Sequence, residues 1–294
     1  MVQSADLREE VLMASRRSFL GTVAGGLAAS SALRGVARAA GAKAPLGLQL
    51  WSVRNQLAKD VPGTLKQVKA WGFDEVETFG KFGGDIAGPL KDAGLSVRAM
   101  HVDFQRLQGD LAGVLEEADA IGAGTIVNPY LPHKQRPHAS REEILAAAAA
   151  FAKWAGQCRS AGKRFGYHIH GQEFGPAPEG TLFDLLVKES GPEVGFEADV
   201  YWVTVGGADP VALLKKYPGR FRFTHLKDMA KGVVPGSEAA HRDESNVVLG
   251  TGQIDIKGIV AAAAAAGVEM NFIEDESKDP LGHIPQSVEY YRSL

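Results

Sequence analysis

The chain has 294 residues, of which 45% are hydrophobic and 23% charged, with a formal net charge of −3. That length and composition suit one large α/β barrel with a sizeable core, and the charge supplies no basic field for a dedicated nucleic-acid binder. A single cysteine, Cys158, excludes an internal disulfide framework and any cysteine-based zinc site.

Segment 1–39 reads as a twin-arginine signal peptide. Ser15-Arg16-Arg17-Ser18-Phe19-Leu20 carries the arginine pair, an Ala/Gly-rich run follows, and Ala37-Arg38-Ala39 offers a small-x-small cleavage site before Ala40. The apolar run is too short, with Arg34 and Arg38 close behind it, to form a stable membrane anchor. The expectation is export of a folded chain by the twin-arginine machinery and a periplasmic mature protein, 40–294, of one domain.

From Leu46 onward short β-rich runs alternate with helical ones. Strands are predicted at 46–51, 74–79, 95–101 and 125–129, with helices at 62–71, 86–92 and 111–121 between them and 141–161 after them. The second half continues with strands at 163–170, 194–199, 220–227 and 269–275, separated by helices at 181–189, 211–217 and 256–266. A last helix is predicted at 285–293. Gly72, Gly94, Gly162 and Gly267 each follow a helical run closely, as glycines that close helices do. Strict alternation implies parallel strands with right-handed crossovers, and eight units imply a (β/α)8 TIM barrel. The competing doubly wound sheet lacks its phosphate-binding glycine fingerprint after the first strand.

Side chains two apart on a strand share a face. His168 and His170, Glu197 and Asp199, His225 and Lys227, and Glu274 and Glu276 therefore pair up, four times over, near the C-terminal ends of strands where barrel active sites are built. Imidazole and carboxylate together suit one Mn, Zn, Co or Fe ion better than Ca. The expected metal ligands are His168, Asp199, His225 and Glu274.

The stretch from Leu46 to Gly80 (LGLQLWSVR…VKAWGFDEVETFG), with YHIHGQEF, EADVYWV, HLKDM and VLGTGQI further on, resembles the xylose isomerase-like family of sugar phosphate isomerases/epimerases across 46–294. The resemblance implies one divalent metal held by Glu, Asp, His and Glu. The last three map onto Asp199, His225 and Glu274, whereas His168 stands where the first Glu is expected; Glu173 is the alternative source of that carboxylate.

A metal-dependent sugar isomerase or epimerase, abstracting a proton next to a carbonyl, is the implied activity, with a lyase or dehydratase acting on a 3-keto-glycoside or keto-inositol as runner-up. Glu274 is the candidate base for isomerisation, His168 or His170 for elimination, and Lys227 the stabiliser of developing negative charge. Gln49, Trp51, Glu77, His101, Asn128, Trp202 and Lys227 are expected to contact a small carbohydrate substrate. Segment 230–247 is a candidate lid carrying Arg242, and His133, His138, His241 and His283 are expected at the solvated surface. Two other classes compete. A DNA-repair nuclease would need more ligands and a basic groove, and a non-catalytic periplasmic sugar-binding protein would need no metal.

Overall fold

Eight short parallel strands close on themselves, each pairing with its sequence neighbours and the last with the first. They are β1 (Leu46–Gln49), β2 (Glu75–Phe79), β3 (Ser96–His101), β4 (Thr125–Asn128), β5 (Arg164–Ile169), β6 (Val194–Asp199), β7 (Phe221–Leu226) and β8 (Met270–Ile273). The computed structural model describes residues 42–80, 86–133 and 138–294. The twin-arginine motif and its cleavage site lie outside the described residues. With helices between the strands this is the (β/α)8 barrel that the alternation predicts. Among the described residues no helix is long and apolar enough to cross a membrane.

The outward faces of the strands pack on the helices. Helix Arg141–Ser160 starts at a capping box between Ser140 and Glu143, which satisfies otherwise orphaned N–H groups. Its buried stripe sets Phe151 against Tyr167 and Phe165 of β5, at ring-centroid distances of 4.9 and 5.6 Å. Cys158 lies in the same layer, where burial pushes its thiol up to about 12 and leaves it inert at neutral pH. Inside the barrel, Ala99, Val127, Phe223, Met270 and Phe272 form a small separate floor.

Strict alternation fails at two places. The β2–β3 register skips Arg98 between the pairs Val76–Val97 and Glu77–Ala99, and the β6–β7 register skips Arg222 between Phe196–Phe221 and Glu197–Phe223. Each skipped arginine resets the parity of its strand. Val97 and Phe221 pack outward in the main core, whereas Ala99 and Phe223, two residues later, lie on the inner floor. The bulges thereby deliver His101 and His225 to the lumen.

Several boundaries differ from the predicted ones. β1 stops at Gln49, whose side-chain oxygen accepts from the Trp51 N–H and turns the chain into a short 3-10 helix, Leu50–Val53. Pairing of β8 ends at Ile273, so Glu274 lies just beyond it. The last helix begins at Pro280 and runs through Pro285, because Asp279 caps it one turn early. Segment 230–247 is pinned at its ends, since Asp228–Met229 pairs with Asn246–Val247. The Asp228 carboxylate also accepts from the backbone N–H groups of Met229, Gly250, Gly252 and Ile254.

Candidate metal centre

His168, Asp199, His225 and Glu274 converge at the C-terminal mouth of the barrel, each offering a ligand atom within 4.8 Å of the others. Ligands about 2.0–2.2 Å from a shared ion lie roughly 3–4.4 Å from one another. The His225 Nδ1 to Glu274 Oε2 distance is 3.0 Å. His168 Nε2 and Asp199 Oδ2 are 3.9 Å apart, too far for a hydrogen bond and suitable for two ligands of one ion. Asp199 Oδ1 accepts from the N–H groups of Tyr201 and Trp202, capping the helix that follows. Its buried Oδ2 has no hydrogen-bond partner among the described residues. A buried carboxylate oxygen left in that condition fits a cation site.

Beneath this quartet lies a second layer of acid. Glu77 Oε2 meets His225 Nε2 at 2.7 Å, and Glu197 Oε2 meets His168 Nδ1 at 3.0 Å. His101 bridges the layer, with Nε2 at 2.8 Å from Glu197 and 3.2 Å from Glu77. A carboxylate holding one imidazole nitrogen leaves the other free to ligate, as at carboxylate–histidine–metal sites. His101, His168, Glu197 and His225 also satisfy the spacing for a metal. In that lower set, however, one nitrogen of each imidazole is already hydrogen-bonded to Glu77 or Glu197. In the upper quartet only His225 and Glu274 are so joined and His168 Nε2 faces Asp199 Oδ2 without a hydrogen bond, so the upper quartet is the better ligand set.

Three carboxylates converge on Lys227. Its ammonium, 2% exposed, lies 3.4 Å from Asp199 Oδ2, 3.1 Å from Glu274 Oε2 and 2.5 Å from Glu276 Oε2. Burial opposes that charge, but the three carboxylates carry its pKa well above the usual lysine range. Burial likewise raises the Asp199 carboxyl, and with Glu274 beside it the value reaches about 7 despite Lys227. Burial and the neighbouring His225 push His168 down to about 4, leaving a neutral imidazole. His101 goes the other way, to about 9, because the charge of Glu77 and hydrogen bonds to Glu197 and Glu77 outweigh its burial.

Next to the quartet, on the far side of His170, lies a cavity of about 450 Å³ lined by Tyr130, His138, His170, Trp202 and His241 among others. His170 joins the two, its ring centroid 4.5 Å from that of His168 with the planes 68° apart. Its Nδ1 is buried without a hydrogen-bond partner among the described residues.

The residues expected at the substrate rim are divided by depth. Trp51 and Trp202 are accessible, and Trp51 Nε1 donates to Glu276 at 3.1 Å. Gln49, Glu77 and Asn128 are fully buried and His101 nearly so, below the quartet rather than on the rim. Gln49 has both amide ends engaged, Nε2 with Glu77 and Oε1 with the Trp51 N–H. Glu173 does not supply the missing carboxylate. It binds the Tyr167 hydroxyl, and Tyr167 is an outward residue packed on Phe151. Arg242 is exposed and pairs with Glu238; His241 is exposed as expected and His138 half-buried, and both also line the cavity. Sequence reasoning left out Glu197 as a support and Glu276 as the clasp of Lys227, although parity placed both inward.

No protein-family model matches the chain. An inosose dehydratase from Lacticaseibacillus casei is 24% identical over 192 residues, covering 61% of this chain and 62% of that protein. The chain thus matches only about three fifths of the length of that curated relative. Among solved structures, a sugar phosphate isomerase/epimerase from Parabacteroides distasonis superposes with a TM-score of 0.67 at 24% identity, covering 86% of this chain and 95% of that one. The IolI protein, solved with a zinc atom, superposes with a TM-score of 0.63 at 15% identity over 85% and 95% of the two chains. These likenesses establish the barrel as xylose isomerase-like in fold.

Proposed function

We propose that the chain is a divalent-metal-dependent sugar isomerase or epimerase that abstracts a proton next to a carbonyl. One observation carries the reading: Asp199 Oδ2, which accepts no hydrogen bond among the described residues and has the Lys227 ammonium 3.4 Å away, faces His168 Nε2 within a quartet that adjoins, through His170, a cavity. The sugar isomerase/epimerase and zinc-bound neighbours support it by analogy of fold. His168, Asp199, His225 and Glu274 would hold the ion, with Glu77 and Glu197 fixing the two imidazoles. A bound divalent ion would supply Lewis-acid polarisation of the sugar carbonyl and its neighbouring hydroxyl.

Within that frame Glu274 takes the proton from the adjacent carbon and returns it to the neighbouring carbon or the opposite face. Lys227, clasped by Glu276, hydrogen-bonds the oxygen that gains negative charge. Trp51 offers an accessible ring for the sugar at the rim.

A second reading, elimination from a 3-keto-glycoside or keto-inositol, is favoured by His170. Its Nδ1, without a hydrogen-bond partner among the described residues, would take the proton while a leaving group departs from the β-carbon toward the cavity. The 24% identity to an inosose dehydratase points the same way. Incubating the metal-loaded protein with keto-sugars and 3-keto-glycosides in deuterated water tests both. Deuterium in a recovered isomer supports isomerisation or epimerisation, an unsaturated product or released aglycone supports elimination, and neither outcome with any substrate overturns both.

We also infer that segment 1–39 directs twin-arginine export and that the mature enzyme works in the periplasm. Replacing Arg16 and Arg17 together by Lys should hold the protein in the cytoplasm; unchanged export overturns the inference.

A further inference from the structure

The cavity beside the quartet has a chemistry of its own. None of its lining residues among those described carries a carboxylate, guanidinium or ammonium group. Instead, four rings form a continuous aromatic wall. Tyr130 and His170 stack with centroids 4.3 Å apart and planes 17° from parallel. His170 and Trp202 follow at 6.0 Å, and Trp202 and His241 at 5.3 Å. The four rings come from the loops after β4 and β5, the helix after β6 and the 3-10 turn Glu238–His241, so four separate segments are brought together to build it.

The wall is set by close backbone contact. Gly171 has φ 91°, and a Cβ there would lie 2.5 Å from the Trp202 carbonyl oxygen. A Cβ on Gly206 would lie 2.7 Å from the Gly171 carbonyl oxygen. Only two glycines allow the His170 loop to approach the Trp202 helix this closely. Tyr130 nonetheless keeps 55% of its surface exposed.

Recognition of a phosphate calls for guanidinium, ammonium or converging N–H donors, whereas aromatic faces gain by covering a flat or apolar ring face. At about 450 Å³ the cavity also falls within the roughly 300–1,000 Å³ typical of small-molecule sites. We propose that it binds the second half of a two-part substrate: an uncharged ring joined by a glycosidic bond to the sugar that reaches the metal quartet. The substrate is then a keto-glycoside, its carbonyl carried on the sugar ring away from the glycosidic bond, rather than a free monosaccharide. This deepens, and rests on, the reading of the quartet as a proton-abstraction site. The ring can be aryl or a second pyranose, since both present an apolar face.

The test is calorimetric binding to the metal-loaded protein, with tryptophan fluorescence as a parallel readout, so turnover is not required. The ligands are methyl β-glucoside, phenyl β-glucoside, cellobiose and glucose 6-phosphate. Phenyl β-glucoside, cellobiose or both should bind roughly tenfold or more tightly than methyl β-glucoside, the size of effect that aromatic stacking plus apolar burial provides. The preferred ligand identifies the ring as aryl or sugar. Trp202→Ala should erase the preference, phenyl β-glucoside and cellobiose then binding no more tightly than methyl β-glucoside. His241→Ala, at an exposed position, should reduce it and serves if the tryptophan variant fails to fold. Equal affinity for methyl and ring glucosides, an undiminished preference in both variants, or tightest binding of glucose 6-phosphate overturns the proposal. Ring preference with neither deuterium exchange nor elimination product would preserve the cavity assignment and overturn the catalytic reading. Exchange on free keto-sugars without ring preference would do the reverse.

Discussion

His225 and Glu77 are joined through His225 Nε2 at 2.7 Å, and this contact turns the opposite nitrogen, Nδ1, toward Glu274. Both partners are fully buried, so the orientation does not depend on solvent. Replacing Glu77 by Gln keeps the shape but weakens the acceptor that fixes the ring. Metal affinity should fall about 10–100-fold, the usual loss for a partner behind a ligand. Titration calorimetry against Mn and Zn checks it, and unchanged affinity would remove Glu77 from the account.

Asp199 has two tasks that substitution can separate. Oδ1 caps the helix Val200–Val205, and Oδ2 faces the proposed ion. Asp199→Asn retains a capping oxygen and should lose metal. Asp199→Ala should lose metal as well and be less stable than the Asn variant by about 0.5–2 kcal/mol, the worth of an N-cap. Urea denaturation of the two variants measures the difference.

At the opposite end of the barrel, Glu269 accepts from Arg164 at 2.6 Å and Arg222 at 3.0 Å. Burial works against its charge, but the two guanidinium groups outweigh it and hold the carboxyl below the usual range. A depressed folded-state value contributes stability above the unfolded carboxylate pKa and loses it as pH falls through the folded one. Between pH 5 and pH 3 the wild type should therefore lose more thermal stability than Glu269→Gln, which lacks this ionisation. Parallel melting curves would refute the assignment.

The barrel was legible in the sequence because strand and helix alternate without interruption, and alternation along β5, β6 and β8 placed the ligand side chains inward. Depth was not legible. Side chains two apart on a strand lie about 6.6 Å apart along it, so Glu197 and Asp199 share a face yet occupy different layers. Gln49 and Asn128 do end their strands, but the layers above cover them. Parity also misleads below the bulges at Arg98 and Arg222, where Val97 and Phe221 face out against the alternation. His138 and His241 reach the cavity through loop paths that no local period encodes.

The central claim is that His168, Asp199, His225 and Glu274 hold one divalent ion, and metal stoichiometry tests it most directly. Elemental analysis after loading and dialysis should find one equivalent of metal per wild-type chain. The folded His168→Ala/Asp199→Asn double variant should hold none, and Glu197→Gln, outside the quartet, should still take up one equivalent when loaded. A wild type that retains no metal, or a double variant that keeps a full equivalent, contradicts the account.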